Sequence, residues 1–251
     1  MNDFDRAADL LRGAKWPIAL TGAGISVESG IPDFRSPGGL WERFDPMEYA
    51  TIDAFRGNPV KVWNMLREMS AVVREARPNR AHYAMAEFEA MGRLKAIVTQ
   101  NIDDMHQKAG SKRVIEFHGN VRKLVCLFCH REFAAGAVEE QAAAAAEFPP
   151  RCPNDGHILK PNVVFFGEAI PVKASIEADQ EARKCDLILV VGTSATVYPA
   201  SSIPLVAREG GAKVIEINLA ETGLTHYVAD LSLLGSAGDI LPQLAERLRT
   251  Y

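Results

Sequence analysis

The chain has 251 residues, of which 47% are hydrophobic and 24% charged, and its formal net charge is −4. This acidic balance argues against a non-specific nucleic-acid binder, which needs a basic face, and no apolar run approaches the roughly 20 residues of a membrane span. The polar, acidic start MNDFDRAADLL is unlike a signal peptide, and four cysteines are too few for a disulfide framework, so we expect a cytoplasmic, reduced and monomeric protein that binds neither nucleic acid nor membrane.

Short apolar runs bounded by turn or polar residues recur along the chain, which is typical of buried parallel strands. The predicted strands are Trp16–Leu20, Ala96–Thr99, Val114–Phe117, Val163–Phe166, Leu187–Val191 and Val214–Ile217, with Leu231–Leu234 as a further candidate. Helical stretches lie between several of them, and Asp239–Arg249 has the pattern of an amphipathic helix. This alternation predicts an α/β fold with a doubly wound, parallel, Rossmann-like sheet.

Two segments interrupt the alternation. Ser36–Asn79 is aromatic and helical, with too little strand character for a Rossmann unit, and Lys123–Lys160 carries cysteines and an alanine run at 142–146 that indicates a helix or tether. We expect these insertions to fold together into a smaller lobe, with a helical module at 36–79 and a zinc-ribbon-like module at 123–160. The large lobe is predicted to comprise 1–35, 80–122 and 161–251, with the cofactor in the cleft between the lobes.

The stretch Thr21–Trp41, TGAGISVESGIPDFRSPGGLW, combines glycines with polar side chains that packing does not require. A strand that runs into a glycine-rich turn can place backbone N–H groups against a pyrophosphate. Because residue 27 is valine, the fingerprint G-x-G-x-x-G is incomplete, and a tight strand-to-helix turn is an alternative. The whole run resembles the sirtuin family of NAD-dependent protein deacylases, whose pattern reads GAGIS…GIPDFR…GLW.

Polar residues follow two further predicted strands. Gln100-Asn101-Ile102-Asp103 comes directly after Ala96–Thr99, where open α/β sheets bind ligands, although a helix N-cap is an alternative. The surrounding TQNIDDMHQKAG resembles the sirtuin pattern T-Q-N-I-D-x-L-H-x-x-A-G, with Met105 in place of leucine. His118, in EFHGN, resembles the sirtuin H-G pattern. A lone histidine is more often structural, but an imidazole that titrates near neutral pH can remove a proton from a hydroxyl.

Later motifs also resemble sirtuins. NVVFFGE at 162–168 resembles the segment that lines the acyl-lysine tunnel and pairs with the substrate backbone as an added strand, although part of it must be a core strand. Gly192-Thr193-Ser194, Asn218 and Gly235-Ser236-Ala237 each follow a predicted strand, and by resemblance they meet phosphate, ribose and adenine. A plain turn is an alternative for each of them.

The cysteine spacing predicts a metal site. Cys126 and Cys129 form a knuckle suited to tetrahedral zinc, and Cys152 follows in CPNDGHILKP. The sirtuin pattern is C-x-x-C-G-G-x-L-R-P, so Asp155 stands where the fourth cysteine belongs. Three interpretations are open. Asp155 completes a Cys3Asp zinc site, or His157 completes a Cys3His site, or the chain binds zinc weakly or not at all. We predict Asp155 as the fourth ligand of a structural zinc, in a weaker site because carboxylate is a harder ligand than thiolate.

The resemblance covers residues from about 19 to about 241 and implies transfer of an acyl group from lysine to ADP-ribose. It implies that His118 is the general base, that Asn101 orders a water, and that substrate contacts lie at Val163, Val164, Phe165 and Gly167. Implied NAD contacts are Gly22, Ala23, Gly24, Ser26, Glu28, Ile31, Asp33, Phe34, Arg35, Trp41, Gln100, Asn101, Ile102, Asp103, His118, Gly192, Thr193, Ser194, Asn218 and Ala237.

The implied reaction begins when the acyl-lysine amide oxygen attacks C1′ of the nicotinamide ribose and nicotinamide leaves. Phe34 is implied to keep water from this centre, and Arg35 to hold phosphate or order its loop. His118 then deprotonates a ribose hydroxyl, and the products are free lysine and O-acyl-ADP-ribose.

The helix after Val62-Trp63 indicates which acyl groups fit. Sirtuins that remove acidic acyl groups carry Tyr-x-x-Arg there, whereas by spacing this chain has Leu66 and Met69. Neither side chain can pair with a carboxylate, so we expect acetyl or other neutral acyl groups. Arg67 lies about 100° around the helix from Leu66 and is expected to face away.

Other functions compete with deacylation. A mono-ADP-ribosyltransferase would use the same NAD site, but His118 and the acyl-lysine strand favour a deacylase. A non-catalytic nucleotide sensor would not need a general base. A hydride-transferring dehydrogenase is least favoured, because the fingerprint is incomplete and no acidic residue about 20 positions further on can be placed on a second strand.

Overall fold

The structure, a computed structural model, describes residues 2–144 and 146–249. The chain divides into two compact units. The first consists of the chain up to Asp33, Ala76–Phe117 and the chain from Val172 onward, and the second of Phe34–Glu75 and His118–Pro171. Residues 34–35, 118–122 and 161–171, which we predicted in the large lobe, lie in the second unit, and residues 76–79, which we predicted in the small lobe, lie in the first.

The strands in chain order are β1 Pro17–Thr21, β2 Ala96–Thr99, β3 Val114–Glu116, β4 Gly119–Cys126, β5 Glu132–Ala134, β6 Leu159–Val163, β7 Leu187–Val191, β8 Lys213–Asn218 and β9 Leu231–Leu234. The helices are α1 Asp3–Gly13, α2 Leu40–Arg43, α3 Pro46–Tyr49, α4 Ile52–Gly57, α5 Pro59–Glu75, α6 Arg80–Ala90, α7 Met105–Lys108, α8 Ala135–Ala144, α9 Val172–Lys184, α10 Ile203–Glu209 and α11 Ala237–Arg249. Short 3₁₀ helices occupy Ala23–Ser29 and Ala200–Ser202.

The first unit contains a six-stranded parallel sheet in the order β3-β2-β1-β7-β8-β9. Thr21, the last residue of β1, pairs with Thr99 on one side and Val191 on the other. The order reverses between β1 and β7, and a doubly wound sheet binds ligands beyond the carboxyl ends of its strands at such a reversal. The predicted fold class is therefore confirmed.

Helices cover both faces of this sheet. Helices α1, α6 and α11 pack together over one face, where Leu11, Phe88 and Leu244 are fully buried. Successive side chains of a strand point to opposite faces, so Ile188 and Val190 of β7 face the other side, where α9 and α10 pack. Burial on both faces explains why these strands are almost continuously apolar.

The second unit contains an antiparallel sheet in the order β5-β4-β6, together with α2–α5 and α8. Our prediction that Val163–Phe166 is a parallel strand of the large sheet was wrong. The strand is Leu159–Val163, and it pairs with β4, a strand that we did not predict. An apolar run indicates that a strand is buried but not which strand it pairs with. β4 was missed because the exposed residues Arg122 and Lys123 interrupt its apolar pattern.

Ala142 lies in α8, as the alanine run predicts, whereas Ala145 of that run lies outside the described residues. Within the part of the chain that the structure describes, no helix combines the length and apolar character needed to cross a membrane.

Candidate functional site

Two glycine-containing turns meet where β1 and β7 end. Gly22 donates its N–H to the Val191 carbonyl at 3.1 Å, and Gly24 donates to the Gly192 carbonyl at 2.8 Å. A Cβ on Gly24 would lie 2.9 Å from Gly192 Cα, and a Cβ on Gly192 would lie 2.3 Å from the backbone nitrogen of Ile25. These contacts are possible only between glycines, and they lie at the topological reversal where such sheets bind dinucleotides.

Replacement of Gly192 by alanine is therefore expected to destabilise the first unit and weaken binding of NAD. Gly192 has a φ of +60°, and its Cβ would also collide with backbone. Strain at a positive φ alone costs about 1–3 kcal/mol, and the collision adds to it. The matched control is Gly211→Ala, because Gly211 has a φ of +92° but no atom near the added Cβ. Urea denaturation and calorimetric titration with NAD measure both effects; equal losses in the two variants would show that the collision contributes nothing.

Polar side chains connect the ends of three strands beside this contact. Gln100 Nε2 donates to Thr193 Oγ1 at 3.0 Å, and Asn101 Nδ2 donates to the Gly22 carbonyl at 3.1 Å. Ser26 is 1% exposed, and its hydroxyl donates to Asp103 Oδ2 at 2.7 Å. The other carboxylate oxygen of Asp103 accepts the N–H of Met105 at the start of α7. Asp103 thus connects the Ser26 hydroxyl to the backbone at the start of α7.

His82, to which our sequence analysis assigned no role, belongs to this network. It is fully buried, its Nδ1 accepts the N–H of Asn79 at 3.3 Å, and its Nε2 lies 3.4 Å from the hydroxyl of Ser26. Burial lowers the pKa of His82 to about 4 despite nearby carboxylates, and burial together with His82 lowers the pKa of His106 to about 3. Both rings are neutral at pH 7. The capping-box spacing Asn79-x-x-His82 was the sequence signal that could have identified His82.

Glu28 fixes the loop that carries Ala237. Its carboxylate accepts hydrogen bonds from the Ser236 hydroxyl and, at 3.2 Å, from the Gly238 N–H. These groups lie at the first turn of α11, where a carboxylate can accept hydrogen bonds from unpaired helix N–H groups and interacts favourably with the helix dipole. Asn218 donates to the Thr193 carbonyl at 3.4 Å. The other predicted nucleotide contacts of this unit, Ala23, Ile31, Asp33, Ile102 and Ser194, are partly or fully exposed.

His118 begins the second of the two chain segments that form the second unit, and it follows β3 by two positions. Its ring is partly exposed, and its carbonyl accepts the Val164 N–H at 2.9 Å. Gly119 has a φ of +76°, and a Cβ there would lie 2.0 Å from the Asn162 carbonyl oxygen. Gly119 thus allows β4 to approach β6 and fixes the backbone on both sides of the imidazole.

The aromatic residues of the first motif lie together in the same unit. The Phe34 and Trp41 ring centroids are 5.0 Å apart, and Trp41 lies 6.4 Å from Phe166. Phe34 and Arg35 are exposed.

The predicted substrate segment alternates between buried and accessible residues. Val163 and Phe165 are buried, Val164 is partly exposed, and Gly167 is exposed with a φ of +85°. This alternation is that of an extended segment with one side against the protein.

Three thiols and one carboxylate gather in the second unit. Ligand atoms of Cys126, Cys129, Cys152 and Asp155 all lie within 4.8 Å of one another, and Cys126 and Cys152 are buried. Sulfurs bound to one tetrahedral zinc lie about 3.8 Å apart, and Cys129 Sγ and Cys152 Sγ are separated by 3.7 Å. Asp155 oxygens lie 3.3 and 3.5 Å from Cys126 Sγ. These spacings fit a structural zinc.

The structure places Asp155, not His157, with the thiols. The His157 Nδ1 lies 3.2 Å from an Asp155 oxygen, and its ring stacks on Phe128 with centroids 4.2 Å apart. Burial acts to raise the pKa of Asp155, but hydrogen bonds from the His157 N–H and the thiols outweigh it and hold the pKa well below its usual range. An ionised carboxylate faces the thiols, and the His157 ring contacts it on the side away from the thiols.

Comparison with known proteins gives consistent matches. Residues 22–199 match the Sir2 family. The chain is 46% identical to NAD-dependent protein deacylase 2 of Pyrobaculum aerophilum over 247 residues, which are 97% of this chain and 96% of that protein. A solved Sir2 homolog–NAD complex is 42% identical with a TM-score of 0.88, covering 98% of this chain and 93% of that one. A Sir2 structure with deacetylated p53 peptide and 3′-O-acetyl-ADP-ribose is 34% identical, with a TM-score of 0.91 and 98% of both chains covered.

Proposed function

The chain belongs to the Sir2 family and is an NAD-dependent protein deacylase, and we propose that it removes acetyl and other neutral acyl groups from lysine side chains. The observation that carries the use of NAD in this reaction is the polar network of Ser26, Asn101 and Asp103 at the reversal of the sheet. Binding of a nicotinamide ribose requires polar side chains held in fixed positions near the strand ends. Packing of the protein core does not require polar side chains there.

NAD is the co-substrate, and it supplies the ADP-ribose that accepts the acyl group as nicotinamide is released. The turn that contains Gly22 and Gly24 is the proposed pyrophosphate site, and Asn218 is the proposed partner of the adenosine ribose. Support comes from the close approach to Gly192, which leaves no room for side chains between the two turns. Asn101 and Asp103 are proposed to orient the nicotinamide ribose and the nicotinamide amide.

His118 is the proposed general base that removes a proton from a ribose hydroxyl. The support is its partly exposed ring and a backbone held on both sides by Val164 and Gly119. Phe34, held against Trp41, is proposed to keep water away until the acyl group has been transferred. The acyl-lysine backbone is proposed to add as a strand along Val163–Gly167.

The proposed preference for neutral acyl groups rests on α5. Leu66 and Met69 are partly buried and carry no charge. The guanidinium of Arg67 lies 4.7 Å from the centre of the Phe148 ring, a cation–π contact that holds this cation on Phe148. Leu66 and Met69, which sequence spacing aligns with Tyr-x-x-Arg, therefore offer no positive charge to an acyl carboxylate.

We expect the protein to deacylate an acetyl-lysine peptide at least about 10-fold faster, in kcat/KM, than the same peptide carrying succinyl-lysine. A succinyl carboxylate beside Leu66 and Met69 would lose its hydrogen bonds to water, and these apolar side chains provide no hydrogen bond or charge in return. Mass spectrometry of both peptides with NAD measures the ratio and detects O-acetyl-ADP-ribose. The double variant Leu66→Tyr/Met69→Arg is expected to raise activity on the succinyl peptide while the parent protein serves as the control.

Faster removal of succinyl by the parent protein would refute the pocket assignment. Addition of ADP-ribose to protein, with both peptides unchanged, would instead establish the transferase alternative.

We also propose that the protein is a cytoplasmic monomer. Its four cysteines are not paired in disulfides, as expected in a reducing compartment. Size-exclusion chromatography with light scattering tests the monomer, and fractionation of cells tests the location.

A further inference from the structure

Lys160 is a lysine in the interior of the second unit. It lies on β6, its side chain is 4% exposed, and its ammonium sits 4.7 Å from the centre of the Phe165 ring. Its three N–H donors have three acceptors, namely the carbonyls of Pro161 and Val163 at 3.1 and 2.6 Å and Glu168 Oε2 at 3.0 Å. Burial lowers the pKa of Lys160, and Glu168 acts in the opposite direction. Each donor of the buried ammonium is therefore satisfied.

Glu168 has a second partner in the same segment. Its Oε2 accepts the backbone N–H of Phe165 at 2.8 Å, in addition to the ammonium of Lys160. The ion pair thus binds the Val163 carbonyl and the Phe165 N–H, which point to the same side of an extended chain because they are two residues apart. Gly119 pairs with Val163, where β6 ends. Beyond that residue the side chains of Lys160 and Glu168 bind one side of the segment, while on the other side the Val164 N–H donates to the His118 carbonyl and Phe166 pairs with Thr51.

Stability alone does not explain this pair. Replacing a buried ion pair by apolar residues of similar volume is often neutral or stabilising, because two charges must lose their hydration. Apolar residues could not form hydrogen bonds to the Val163 carbonyl and the Phe165 N–H, and so could not fix the direction of these groups. These residues belong to the segment to which we assign the acyl-lysine substrate, and a segment ordered in advance lowers the entropic cost of binding it.

We propose that Lys160 and Glu168 are positioning residues that hold Val163–Gly167 extended for the acyl-lysine peptide. Their loss then weakens binding of the peptide and leaves binding of NAD nearly unchanged. This inference rests on the proposed deacylase function, since it assigns a role in substrate binding.

The test compares Lys160→Met, Lys160→Arg and Glu168→Gln with the parent protein. Methionine keeps the length of the side chain without the charge, arginine keeps the charge, and glutamine keeps the shape of glutamate. The matched control is Lys123→Met, because Lys123 pairs with Glu132 at 2.6 Å in the same sheet but is about half exposed. Such exposed pairs contribute little.

Steady-state kinetics with an acetyl-lysine peptide and NAD supplies the first readout. We expect Lys160→Met and Glu168→Gln to raise the KM for the peptide about 10-fold or more, which corresponds to about 1.4 kcal/mol. The KM for NAD should stay within about twofold, and Lys160→Arg should restore most of the peptide affinity. Equal increases in both KM values, or none, would overturn the proposal.

Hydrogen exchange at the Phe165 amide supplies a readout that does not depend on activity. Exchange should accelerate in Lys160→Met and Glu168→Gln but not in Lys123→Met, and unchanged exchange in all three would also overturn the proposal. If Lys160→Met does not fold, Glu168→Gln carries the test alone. A parent protein with no deacylase activity refutes the proposed function itself, whereas an active parent whose variants keep the peptide KM refutes only this inference.

Discussion

Replacement of His118 by alanine is expected to reduce kcat for deacetylation by about 10²–10⁴-fold, the usual contribution of a general base. Alanine cannot take the proton of the ribose hydroxyl, so acyl transfer stops at the step that needs this proton removed. Release of nicotinamide precedes that step. Exchange of labelled nicotinamide into NAD should therefore continue at a rate close to that of the parent protein.

Mass spectrometry of the peptide and exchange of labelled nicotinamide measure the two steps separately. The control is His226→Ala, which removes an exposed imidazole that contacts Glu221 in the other unit. If His118→Ala loses exchange and deacetylation to the same extent, His118 acts in binding or folding and not as the base. Full activity of His118→Ala would assign the base to another residue.

Loss of the metal is expected to have the largest effect on stability. Cys126 is the last residue of β4 and Cys129 follows it, whereas Cys152 and Asp155 lie between the bridged residues Arg151 and Ile158, so one zinc would join two separate parts of the chain. Zinc binding drives folding of small zinc modules, and we expect chelation or Cys129→Ser to cost about 3 kcal/mol or more.

Hydrogen exchange of β4, β5 and β6, before and after addition of a chelator, measures this loss, and elemental analysis measures zinc. Cys185→Ser is the control, because Cys185 is a buried thiol of the first unit and should leave zinc content unchanged. Asp155→Cys should retain zinc longer against the chelator, since it replaces carboxylate by thiolate. Zinc content that is the same in Cys129→Ser and the parent protein would refute the site.

The strands of the large sheet could be predicted because burial on both faces makes each a continuous apolar run. Leu187–Val191 is an example, and the predicted and observed limits coincide. The polar residues of the site were also accessible from the sequence, since Asn101 and Asp103 follow a strand directly. Both signals are local in the chain.

Features that depend on partners distant in the chain could not be predicted. Lys160 breaks an apolar pattern, and only Glu168 and two carbonyls make its burial acceptable. The burial of His82 depends on Ser26, which lies 56 positions earlier. The pairing of β6 with β4 depends on a hairpin-like return through β5 and α8, which the run VVFF does not reveal.

The central place of β1 has a consequence for biosynthesis. Synthesis of β1 is complete at Thr21, but its partner on one side, β7, is complete only at Val191. A ribosome working at about 5–20 residues per second therefore leaves one edge of this strand, which is fully buried in the folded protein, without its native partner for roughly 10–30 seconds. Exposed strand edges of this kind invite pairing with other nascent chains. Slow translation or crowded polysomes should thus favour aggregation, and a holding chaperone that covers Pro17–Thr21 should raise the yield of folded protein.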